Sequence, residues 1–168
     1  MAAFSFWWVS PLVVLLGIAV SLAMAHRTIE TNRRIARMKS TLDLIETAES
    51  SEYYQGLYQA FKRFRSDGEF KKVVLSPRTA EDRKSRLQCW DFLNHYELVA
   101  IGIAEGILDE DFYKRWMGYA VLRDFKEGRD LISAARAPSN PGDPGDKVAY
   151  IELERLCTKW NAARPASN

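Results

Sequence analysis

FSFWWVSPLVVLLGIAVSLAMA, Phe4 to Ala25, runs for 22 residues without an Asp, Glu, Lys, Arg or His, and HRTIETNRRIARMK, His26 to Lys39, follows it with five basic residues and one acidic. As a helix the first stretch is about 33 Å long, against a hydrocarbon core of about 30 Å. It is long enough to cross a bilayer. Trp7 and Trp8 stand near one end, where indole rings favour the interface, and Pro11 lies close enough to the helix start to cost little. At the other end Arg27, Arg33, Arg34, Arg37 and Lys39 form a collar for phosphate headgroups, each worth roughly 1 kcal/mol near an anionic surface. Positive charge only after the span places the N-terminus outside and the remainder in the cytoplasm.

A cleaved secretory signal is the competing reading, since Ala23-Met24-Ala25 has the small-x-small form of a cleavage site. The apolar run exceeds the roughly 7 to 15 residues of a signal core, and no Lys or Arg precedes it. Gly17, Ser21 and Ala25 also recur every fourth residue, a stripe on which another transmembrane helix could pack, although apolar helices carry such stripes by chance.

Beyond the collar the balance changes. The net charge of +2 is the sum of +4 between His26 and Lys39 and −2 afterwards, so the domain lacks the basic excess of a general nucleic-acid binder. The division expected is a transmembrane helix over 4–25, a basic neck over 26–50, a helical bundle over 51–163 and a tail over 164–168. Ile35, Met38, Leu42 and Ile45 keep a 3-4-3 spacing in the neck, an a/d seam too short for a lasting coiled coil. Tyr53, Tyr54, Leu57, Tyr58, Phe61 and Phe64 then mark an aromatic helix face. After turns at Ser66-Asp67-Gly68 and Ser76-Pro77, a helix from about Thr79 to Ala104 has apolar residues around nearly its whole circumference, which predicts burial on all sides. Gly106 can end it and Asp109 can cap the next helix, giving an αα-hairpin. Ala137 to Gly145 is a loop by its prolines and glycines, and Asp146 opens a last helix with Tyr150, Leu153, Leu156, Cys157 and Trp160 on one face. The fold class is therefore all-α: one membrane helix and a cytoplasmic multi-helix bundle.

Few residues promise chemistry. Asn94 and Glu97 stand one turn apart in the most apolar helix, where an unpaired carboxylate would cost several kcal/mol, so an arginine partner is expected, with Arg136 preferred. A buried pair that fixes helix register is the plain reading. The alternative is a general base at Glu97, with Cys89 some 80° around the helix and no nucleophile nearby. His95 follows Asp91 by one turn, as in a surface pair. No HExxH and no CxxC is present, so neither a metal nor a cofactor is expected, and Cys89 and Cys157 suit a reduced compartment.

Leu93-Asn94-His95-Tyr96-Glu97, then Ile101-Gly102, then Gly106-Ile107-Leu108-Asp109-Glu110, resemble the bacterial and phage family catalogued as domain of unknown function 4760, over about Met38 to Trp160. The family's Thr-Leu-Asp element corresponds to Thr41-Leu42-Asp43. The resemblance implies a bacterial inner-membrane setting and an all-α fold, with Asn94, Glu97 and Arg136 as the polar positions to test. It implies no activity. The function expected is thus a non-enzymatic, membrane-tethered module that binds a protein partner or itself; the alternative is a membrane-anchored enzyme or a phage or host-defence effector built on Asn94, Glu97 and an arginine.

Overall fold

A computed structural model describes residues 9–67, 70, 77–137 and 147–163. Among them the chain forms six α-helices joined by turns. The first, α1 (Val9–Ser50), is a single rod of 42 residues, about 63 Å long at the helical rise. From Pro11 to Ala36 every side chain is exposed. Of the described helices α1 is the one long and apolar enough to cross a membrane. Trp7 and Trp8 lie outside the described residues.

α1 joins the bundle only in its last turns. Thr41 and Ile45 are buried there, with Met38, Leu44 and Ala48 partly covered. Ile35 and Leu42 of the 3-4-3 seam remain open, because the face that meets the domain runs through Thr41 and Ile45, and Leu42 stands about 100° around the helix from Thr41. At Ser51 the rod bends into α2 (Glu52–Asp67): the Tyr54 N–H donates to Ser51 Oγ at 3.2 Å, and the Gln55 amide donates to Glu49 O at 2.7 Å.

α3 (Ala80–Ala104) begins with a capping box, in which Asp82 N donates to Thr79 Oγ1 at 3.0 Å and Thr79 N to Asp82 Oδ2 at 2.9 Å. It packs antiparallel to α2, with Tyr54 against His95 at one end and Arg63 near Ser85 at the other. Phe61 stacks at 4.7 Å from Phe92, and Phe92 meets Tyr96 edge-on at 4.9 Å, so the aromatic face of α2 is core. α3 is not buried all round, however. Leu87, Leu98 and Ile101 are exposed, since nothing among the described residues packs on that stripe.

The turn out of α3 depends on two glycines. Gly106 adopts φ +67°, and the N–H groups of Ile107 and Leu108 both return to Gly102 O, at 2.9 and 3.0 Å. A Cβ on Gly102 would stand 2.8 Å from Leu108 Cδ1, so the Gly102/Gly106 pair serves this turn. Asp109 then caps α4 (Glu110–Glu127), its Oδ1 accepting from Phe112 N at 2.9 Å. α5 (Arg129–Arg136) follows, and α6 (Ile151–Ala162) starts later than Asp146, which lies outside the described residues, as does most of the loop from Ala137 to Gly145. Leu153, Leu156, Cys157 and Trp160 all face the core.

Candidate functional site

Glu97 leaves α3 toward the start of α6, not toward an arginine. Its Oε2 accepts from Leu153 N at 2.7 Å and its Oε1 from Glu152 N at 3.2 Å. A helix start exposes unpaired N–H groups and the positive end of the dipole, so a carboxylate there is both hydrogen-bonded and electrostatically favoured. α6 needs this, because Tyr150 precedes it at φ 59° with no side-chain cap of its own. Arg136 serves the same joint by other contacts: its Nε donates to Ala149 O at 2.9 Å and its Nη2 to Glu154 Oε2 at 2.8 Å. Asn94 is exposed on the neighbouring turn of α3. Glu97 and Arg136 therefore converge on one helix start without bonding to each other, and Asn94 stands apart.

The deepest charge is elsewhere. Asp124, on α4, is fully buried; Oδ1 pairs with Arg65 and accepts from Arg123 Nε at 2.8 Å, while the Tyr96 hydroxyl donates to Oδ2 at 3.2 Å. These contacts join α2, α3 and α4 around one carboxylate. In the sequence Asp124 sits in an ordinary run of charges, Arg123-Asp124-Phe125-Lys126; its one sign was its place one turn after Ala120 and Val121 on the apolar side.

Thr41 pins α1 to the bundle. Fully buried, its hydroxyl donates to Arg37 O at 2.8 Å and accepts from Asp109 N at 2.8 Å, so a single side chain ties the rod to the cap of α4. The collar lies before it: Arg27, Arg33, Arg34 and Lys39 are exposed, and Arg37 is half-buried. Arg34 and Arg37 reach a shallow polar cleft shared with Asp109, Asp111, Lys114 and Arg115.

Between the end of α1, α2 and α4 lies a cleft of about 610 Å³, walled by Leu44, Ile45, Tyr54, Tyr58, Tyr113, Trp116 and Met117, with His95 and Arg123 at its edges. His95 packs 4.6 Å from the Tyr54 ring, and burial lowers its pKa below the ordinary histidine value. It does not pair with Asp91, which instead accepts from the Tyr53 hydroxyl at 3.2 Å. Burial also pushes the Cys89 and Cys157 thiols up to about 12, and both are free. Among the described residues no three His, Cys, Asp or Glu side chains gather as a metal site.

No curated protein and no solved structure matches the chain. Residues 11–160 match the family described as Domain of unknown function (DUF4760), and the chain belongs to it. The match begins at Pro11, so the apolar part of α1 is included.

Proposed function

We propose that this member of the DUF4760 family is a single-pass protein of the bacterial inner membrane, N-terminus outside, whose helical domain acts at the cytoplasmic face as a non-enzymatic interaction module. One observation carries the reading: the apolar part of α1 is exposed on every side over residues 11–25 while the same helix is locked into the bundle at Thr41. Leaving that much apolar surface in water costs about 25 cal/mol per Å², and a bilayer removes the cost. The collar directly after it supports the orientation.

A partner is supported by a second feature of the same helix. Ser21, Thr28, Ile35 and Leu42 are spaced by seven, so the open side chains Ile35 and Leu42 continue the small-residue stripe of the apolar segment along one face. A second copy of the chain fits such a face. A catalytic use of Asn94, Glu97 and Arg136 finds less support, because both Glu97 oxygens are occupied by backbone N–H groups and Asn94 is not beside them.

Reporter fusions test the placement: green fluorescent protein at the C-terminus fluoresces and alkaline phosphatase there is inactive if the domain is cytoplasmic. The reverse pattern, or release of the protein by alkaline carbonate, sinks the reading. A cysteine at Ile35 that forms a disulfide-linked dimer in native membranes under mild oxidation supports self-association along α1, and monomer alone counts against it.

A further inference from the structure

The cleft between α1, α2 and α4 contains more unanswered hydrogen-bonding capacity than a packing defect would. Tyr113 is 2% exposed, yet its hydroxyl has no hydrogen-bond partner among the described residues, and it is not sealed off either: the one fully enclosed side-chain polar atom without a partner among those residues is Arg86 Nε. The Tyr113 hydroxyl therefore opens into the cleft that its ring lines. The hydroxyls of Tyr54 and Tyr58 and the imidazole of His95 are likewise unpaired among the described residues, and all three residues line the same space.

The walls narrow the occupant. Rings of the partly exposed Tyr54 and Tyr58 and of Trp116, 59% exposed, line the cleft, and stacking on such faces favours a planar molecule. A purely apolar guest would leave the hydroxyls desolvated and unpaired. A polyanion finds no match, because among the described residues Arg123 is the one Lys or Arg on the wall, and it already pairs with Asp124. With Arg65 also on Asp124 and Glu49 at the rim, the charges around the cleft cancel. The volume of about 610 Å³ lies within the range of small-molecule sites. We propose that this cleft is a binding site for an uncharged, planar heteroaromatic molecule of about nucleoside size, stacked on the rings and hydrogen-bonded by Tyr113, Tyr54 and Tyr58. One wall of the site is α1 itself, through Leu44, Ile45 and Ala48.

Isothermal titration calorimetry of the full chain in detergent, with guanosine, adenosine and riboflavin as probes, decides it. At least one probe should bind saturably. Tyr113→Phe should weaken that probe by about tenfold, the worth of one hydrogen bond left unmade, without changing the melting temperature. Ala120→Phe, which fills the cleft from its partly open side, should abolish binding, and Asn94→Ala, outside the cleft, should leave it unchanged. Absence of saturable binding by all three probes overturns the proposal, as does a Tyr113→Phe protein that binds as tightly as its parent.

Discussion

Glu97 and Asp124 are both carboxylates turned in from helices, and the protein satisfies them in opposite ways. Glu97 holds the start of one helix by two backbone N–H groups at its edge. Asp124 is fully enclosed and gathers two arginines and a tyrosine from three helices. The first is a joint for α6 alone; the second is shared by the whole bundle. Burial depth, more than the number of hydrogen bonds, decides which one the fold depends on, because a deeply buried partner left behind has no water to turn to.

Asp124→Ala should therefore have the largest effect, about 3 to 5 kcal/mol, because it strands Arg65 in the interior. Thermal unfolding of the full chain in detergent, followed by circular dichroism, measures it; a drop of only a few degrees would mean that solvent reaches the cluster. Glu97→Ala comes next, at about 1 to 3 kcal/mol, and its effect should be local. The two cysteines report this directly, since Cys157 lies on α6 and Cys89 in α3, both with thiols held unreactive by burial up to about 12. Maleimide labelling of Cys157 should accelerate in Glu97→Ala while Cys89 stays slow. Equal acceleration at both would dissolve the distinction between a one-helix joint and a bundle-wide one. Arg136→Ala, which loses an ion pair to a half-exposed Glu154 and a hydrogen bond to Ala149 O, should cost about 1 kcal/mol. Asn94→Ala should fall within about 0.5 kcal/mol of the parent, as its side chain is exposed.

The same pair shows what the sequence disclosed. Glu97 stands out because its neighbours in α3 are apolar, so its need for a partner was readable; its partner, two backbone N–H groups of a helix beginning at Ile151, was not, because backbone groups carry no letter. Asp124 is hidden by Arg123 and Lys126, and only packing shows that one of these charges points inward. The cap at Asp109 and the turn at Gly106 were legible because each depends on a local residue type. The apolar segment of α1 was legible for the same reason, as an uninterrupted run. The exposed stripe on α3 was not, since Leu87, Leu98 and Ile101 are indistinguishable by type from the buried Leu93 and Val99. The cleft of Tyr113 had no linear signature at all, being assembled from α1, α2 and α4.

The unbroken run of α1 from Val9 to Ser50 also makes the molecule a torsion rod. A helix transmits rotation: inserting one residue between Ala25 and Arg37 would turn everything beyond it by about 100° and advance it by about 1.5 Å. Four inserted residues would nearly restore the original azimuth, about 40° past it, while two would leave the bundle facing almost the opposite way. Whatever the apolar end of α1 faces, the bundle is therefore clocked against it, and the phase of the rod, rather than its length, sets which side the bundle presents.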